Sequence, residues 1–147
     1  MADETNQIRV RLVTPERTMC EVAATAVELP AKNGYFEVLY GHAPLVAELG
    51  AGDVIVHSGA DIADGSTADS SRYFVSWGFV EVLPDRVTIL ATDALKPSEI
   101  DVPRAEQQLD HGLKMWKEAG ESEDAYTESL RVINEAEAKI ASAHEKA

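Results

Sequence analysis

Between Val27 and Val56 the chain carries three turn signals, Pro30 to Gly34, Gly41 to Pro44 and Gly50 to Asp53, with short apolar runs between them. Glycine reaches positive φ without steric cost and proline locks φ, so each signal predicts a reversal of the backbone. Runs this short and this often interrupted cannot build helices; they predict a compact layer of β-strands. The middle signal sets His42 close in sequence to Tyr35 and Tyr40 on exposed loops. That combination suits contact with another molecule better than chemistry.

The flanking sequence continues the pattern. Ile8 to Leu12 alternates apolar and charged residues, the period of a strand with one buried face. Met19 to Val22, Thr25 to Leu29, Tyr35 to Leu39, Pro44 to Leu49 and Asp53 to His57 follow as short strands. Ser58 to Ser71 is rich in Gly, Ser, Asp and Ala and is expected to be a long loop. Arg72 to Ser76, Gly78 to Leu83 and Arg86 to Ala91 then come in quick succession, with a hairpin turn at Pro84 and Asp85. About nine strands at such spacing predict a sandwich or flattened barrel over residues 1–97.

After Leu95-Lys96-Pro97 the period changes. Asp101 is placed as an N-cap, Pro103 falls in a first helical turn and Gly120 stands as a C′ residue. Between them Val102, Ala105, Leu109, Leu113 and Trp116 recur at spacings of three and four and predict one apolar helix face. Ser122 opens a second helix whose stripe is Tyr126, Leu130, Ile133, Ala136, Ile140 and Ala143. So short a connection predicts an antiparallel hairpin over residues 98–147. The fold class is therefore α+β, a β-sandwich followed by two helices.

Several functions are disfavoured by the same residues. A net charge of −13 and a pI near 4.6 oppose binding to a nucleic-acid backbone or an anionic membrane. The start of the chain is polar and acidic, unlike a leader, and no apolar run approaches the roughly 18 residues needed to cross a bilayer. Cys20 is the single cysteine, so no internal disulfide forms and a reducing compartment is expected. There is no P-loop, and Asp53 after Gly52 would repel phosphate. His42, His57, His111 and His144 lie far apart in sequence with no ligand at metal-site spacing. A lone strand cysteine such as Cys20 is a small hydrophobe rather than a nucleophile for His42, and Trp77 reads as packing rather than a ligand pocket. Nothing positive supports an enzyme.

Three segments do resemble a known family, the epsilon subunit of F-type ATP synthases, equivalent to the mitochondrial delta subunit. Val27 to Pro30 with Gly34 and Val38 to Leu45, including Gly41-His42-Ala43-Pro44, resembles its signature loop. Tyr73 to Leu83 followed by Val87 to Ala91 resembles its second signature. Ile100-Asp101-Val102-Pro103-Arg104-Ala105 is similar to the motif that opens its hairpin. The chain departs from the family at Glu37 and Trp77, where glycine is usual, at Tyr35, where an acidic residue often stands, and in the longer stretch 58–71.

The resemblance implies a ten-stranded β-sandwich with a two-helix hairpin. It implies a non-catalytic rotor subunit of the central stalk, on the cytoplasmic face of a bacterial inner membrane, without lipid insertion. Its expected partners are the gamma subunit and the c ring, with Gly34, Tyr35, Tyr40, Gly41 and His42 at the contact. In many bacteria the hairpin extends towards the alpha/beta hexamer and inhibits ATP hydrolysis. Asp101, Arg104 and Ala105 match a motif that contacts nucleotide in some members. Here the acidic second helix disfavours a triphosphate, so no cofactor is expected. The alternative is a stand-alone sandwich module whose hairpin recruits a protein partner.

Overall fold

The computed structural model describes residues 6–145. They divide into two compact units, one ending at Leu95 and the other beginning at Lys96. The first holds strands β1 (Ile8–Val13), β2 (Thr18–Ala24), β3 (Ala26–Ala31), β4 (Gly34–Leu39), β5 (Leu45–Asp61), β6 (Thr67–Leu83) and β7 (Arg86–Leu95). The second holds α1 (Val102–Glu118) and α2 (Glu123–Glu145). The α+β class expected from the residues is the one found.

The strands run in the order β2-β1-β7-β6-β5-β3-β4, and β2 also pairs with the end of β5. β1 lies parallel to β7 and every other pairing is antiparallel. The ladder folds over a core of branched aliphatic side chains, among them Ile8, Val10, Leu12, Leu29, Val56 and Ile89, each at most 1% exposed. In β1 the burial follows the alternation in the sequence, Ile8, Val10 and Leu12 inward, Arg9 and Arg11 outward.

The expectation of nine or ten short strands is corrected to seven, because β5 and β6 are single strands of 17 residues. Gly50 to Asp53 does not reverse the chain. The register of β5 on β6 is the same on both sides of it, with Leu49 opposite Gly78 and Ala51 opposite Ser76. The ladder bends here, since Trp77 takes φ 55° and Gly78 φ 127°. A Cβ on Gly78 would collide with the carbonyl oxygen of Leu90, so a close strand approach requires glycine there. Trp77 thus holds a left-handed conformation that costs a side chain roughly 1–2 kcal/mol. The backbone geometry at this bend stays glycine-like although the side chain is large.

The long loop expected from Ser58 to Ser71 is also corrected. His57 pairs with Ser70, Gly59 with Ala68 and Ala60 with Thr67, so β5 and β6 continue almost to their joining turn. That turn is short. Asp61 Oδ1 accepts from the N–H of Ala63 at 2.8 Å and of Asp64 at 3.0 Å, an Asx arrangement that closes it. Polar side chains are found here because the hairpin tip faces solvent, while backbone groups supply the pairing.

In the second unit the caps fall where the sequence sets them. Asp101 accepts from the N–H of Arg104 at 3.2 Å, Gly120 takes φ 58° just beyond Ala119, and Ser122 Oγ accepts from the N–H of Ala125 at 3.2 Å. The helix contact itself differs from the expected stripe. The buried residues of α1 are Ala105 and Gly112, while Leu113 and Trp116 are 42% and 46% exposed. Gly112 lies against Val132 and Ile133, and Gln108 donates to the carboxylate of Glu135 at 3.2 Å. Small residues let the helices approach closely, which leaves the larger side chains on an outer face.

Candidate functional site

Two loops named by the sequence are anchored on the same half of β5. The β3–β4 turn is tied down by the N–H of Lys32 donating to Glu48 O at 2.9 Å. The loop after β4 is held by the N–H of Gly41 donating to Pro84 O at 2.7 Å, beside the β6–β7 turn. Leu45 pairs with Val82 near that turn, so the start of β5 lies beside the second anchor and Glu48, the first anchor, follows about 10 Å further along the strand. Gly34 and Gly41 take φ 131° and 89°, with nothing near the place of a Cβ. Their role is conformational, at the start of β4 and in the turn beyond it.

The five expected contact residues take distinct positions. Tyr35 lies on the outer phase of β4, and its hydroxyl reaches across the sheet to accept from the N–H of Asp53 at 2.8 Å. The ring covers Gly52, where a Cβ would strike the phenol and Pro30. Burial pushes the Tyr35 hydroxyl above its usual pKa. Beneath it Asp53 is buried and accepts from Arg72 Nη1 at 2.7 Å. Tyr35 is therefore tied into a structural cluster, with part of its ring still exposed.

His42 turns back towards Phe36, the ring centroids 6.5 Å apart, and its Nδ1–H donates to Ala43 O at 2.7 Å. It is half-buried, whereas Tyr40 is exposed. Around Tyr40 the chain exposes Leu39, Leu45 and Val46, the last at 68%. These three were missed because apolar strand residues are normally assigned to a core. The signal lay in the phase of alternation, since Leu39 shares the outward register of Tyr35 and Glu37.

A second apolar surface continues from there. Register places Glu48, Phe79, Leu90 and Val13 in one row across β5, β6, β7 and β1. Phe79 and Leu90 are exposed at 56% and 54%, and Val46 lies in the neighbouring row of β5. Outward aromatic and aliphatic side chains on a rigid ladder are the ordinary material of a protein interface.

The residues weighed for chemistry sit differently. Cys20 is buried beside Tyr73, and burial pushes its thiol up to about 11, so it remains protonated at neutral pH. Asp101, Arg104 and Ala105 open α1, where the Asp101 carboxylate serves as the cap and Ala105 is buried. Among the described residues no helix is long and apolar enough to cross a membrane.

Comparison with known proteins agrees with this architecture. Residues 7–97 match the family described as ATP synthase, Delta/Epsilon chain, beta-sandwich domain. The chain is 41% identical over 97 residues to the ATP synthase epsilon chain of Koribacter versatilis, a match covering 65% of this chain and 62% of that one. It is 34% identical over 139 residues to the epsilon chain of Solibacter usitatus, covering 95% of this chain and 97% of the relative. In fold it is similar to a chain of the Euglena gracilis mitochondrial ATP synthase, with a TM-score of 0.72 at 21% identity, over 92% of this chain and 81% of that one.

Proposed function

The chain belongs to the ATP synthase delta/epsilon family, and from that premise we propose that it is a non-catalytic subunit of the central stalk, linking the gamma subunit to the c ring. The observation that carries the reading is the apolar surface at the loop end of the sandwich. Leu39, Tyr40, Leu45 and Val46 are exposed there, on two strand ends and a turn held by hydrogen bonds, so contact costs little ordering. Such a surface transmits force without itself reacting. The row Phe79–Leu90–Val13 supports a second contact, assigned here to gamma. The site of action is the cytoplasmic face of a bacterial inner membrane, reached through these partners.

Cysteines introduced at Tyr40 and His42 should crosslink to cysteines in the polar loop of the c subunit in the assembled complex. Phe79→Asp should weaken attachment to gamma while leaving the melting temperature of the subunit unchanged. Absence of both effects would remove the stalk assignment of these surfaces.

The hairpin is assigned an inhibitory role. Its exposed Leu113, Trp116 and Tyr126 support docking on a neighbouring subunit. Removing residues 98–147 should then raise ATP hydrolysis by the complex and leave synthesis largely intact; unchanged hydrolysis would reduce the hairpin to a clamp. Nucleotide is not assigned to this hairpin, because the Asp101 carboxylate already caps α1 and the second helix is acidic. Calorimetry should give no saturable ATP binding in the submillimolar range, and such binding would overturn this part of the reading.

A further inference from the structure

We propose that Glu28, Glu37 and His57 form a binding site for a single divalent transition-metal ion of the Zn²⁺ type on the outer face of the sandwich. The three residues come from β3, β4 and β5, and their ligand atoms all lie within 4.8 Å of one another. They are far apart in sequence and are brought together by register. Glu28 faces Glu37 directly across β3 and β4, and His57 pairs with Ala26, two residues before Glu28.

Two carboxylates directly opposite each other on one sheet face repel and are destabilising unless a cation lies between them. Three other strand carboxylates of this unit have one. Glu21 lies 3.1 Å from Arg9, Glu48 lies 3.1 Å from Lys32, and Asp53 lies 2.7 Å from Arg72. Glu28 takes His57 as its partner, Nε2 to Oε2 at 2.6 Å, and among the described residues no Lys or Arg pairs with Glu37. Arg72 cannot serve this row, because Ile55 stands between it and Glu28 and its guanidinium is engaged by Asp53.

The donor set selects the ion. One imidazole nitrogen with two carboxylates suits Zn²⁺ or a neighbouring transition ion, whereas Mg²⁺ and Ca²⁺ prefer oxygen ligands throughout. Tetrahedral Zn²⁺ with bonds of roughly 2.0–2.2 Å separates its ligands by about 3.4 Å. The Glu28–His57 pair must therefore open slightly and Glu37 move inward, both within the reach of side-chain rotation. The fourth position is left to water. Any proton held between Nε2 and Glu28 leaves to solvent when the metal binds. The site lies on this sheet face alone and is independent of any role in a larger complex.

The test is calorimetry of the full chain, without an affinity tag, titrated with Zn²⁺, Mg²⁺ and Ca²⁺, together with Co²⁺ absorption spectra. The expected result is one Zn²⁺ per chain and no comparable heat from Mg²⁺ or Ca²⁺. Co²⁺ should give the visible bands of a four-coordinate ion. His57→Ala should lower the Zn²⁺ affinity about tenfold or more, and Glu37→Gln, an exposed change that leaves the fold intact, should lower it in the same direction. His111→Ala and His144→Ala should leave it unchanged. Binding that survives both His57→Ala and Glu37→Gln, binding lost in the His111 or His144 variants, or no Zn²⁺ binding at all would overturn the assignment.

Discussion

Inside the sandwich the buried residues are mostly Val, Ile and Leu, closed round by a ladder in which β2 meets β5. In the two helices and their connection they are Ala105, Gly112, Ala119, Ser129, Ala136, Ser142 and Ala143, with Ile100 buried just before α1, while Leu113, Trp116 and Tyr126 stand exposed. Each large side chain of the sandwich contributes roughly 1.5–3 kcal/mol on burial. The small residues of the hairpin contribute far less each and act by permitting close approach of two backbones. The contrast separates two tasks within one chain. The sandwich is a stiff body that keeps its turns in place, and the hairpin is a modest pairing with apolar area to spare for a partner.

The largest effect that would break this contrast is at the sandwich bend. Gly78→Ala places a Cβ against the Leu90 carbonyl at a φ of 127°, and should cost about 4 kcal/mol or more. Thermal melting of the full chain should show the cooperative transition of the strands collapse; a melting temperature near that of the parent would mean that the bend relaxes freely. Next in size is Gly112→Leu, whose Cβ would lie 2.8 Å from Ile133 Cγ1 and 3.1 Å from Val132 Cγ1. Overpacking here should cost about 2–3 kcal/mol. Native-state hydrogen exchange should quicken across α1 and α2 and leave the strands protected. Faster exchange in both units would show that they do not behave as separate bodies.

Alkali should act first on the sandwich. Burial pushes Cys20 up to about 11 from an ordinary 9.0, and Tyr73 up to about 12 from 10.0, and both groups are in the sandwich. Raised values favour the protonated forms in the folded state. Their stabilisation is complete below about pH 9 and is lost as pH rises through about 11 for the thiol and about 12 for the partly buried phenol. The thiol's share is roughly 3 kcal/mol. Urea titrations across this window should show the sandwich weakening, and Cys20→Ala should flatten the decline; an unaltered slope in that variant would exclude the thiol as the cause. The smallest effect is a gain. Ser58 is exposed at φ 53°, so Ser58→Gly should stabilise the sandwich by about 0.5–1 kcal/mol. A loss of stability would show that the side chain contributes more than its backbone strain costs.

Local signals in the sequence were sufficient where local physics decides. The alternation of β1, the Asp101 and Ser122 caps, and Gly120 as a left-handed helix stop are set by neighbours within a few residues, and all are found in place. Gly50 to Asp53 looked like a turn because glycine signals both reversal and close approach, and only the crossing of Tyr35 and Pro30 over Gly52 distinguishes them. Residues 67–71 looked like loop because their side chains are exposed, yet their backbone groups pair across β5. The candidate surface was legible at Tyr40 and at the glycines that hold its turns. Leu45, Val46, Phe79 and Leu90 were not, because apolar residues occupy both phases of β5, β6 and β7 and alternation there does not mark the covered face.

Spacing and local conformational preference, which are properties of short segments, were enough for the α+β class, the change from strands to helices near Pro97, the helix caps and the turns at Gly34, Gly41 and Pro84, but not for the stretch from Gly50 to Asp53. Tertiary structure alone decided that β5 and β6 run unbroken through the bend, that Tyr35 is fastened to Asp53, that small residues form the helix contact, and that Glu28, Glu37 and His57 meet. Each of these depends on register between strands or helices distant in sequence, and register is settled by the packing of the whole core rather than by any one segment.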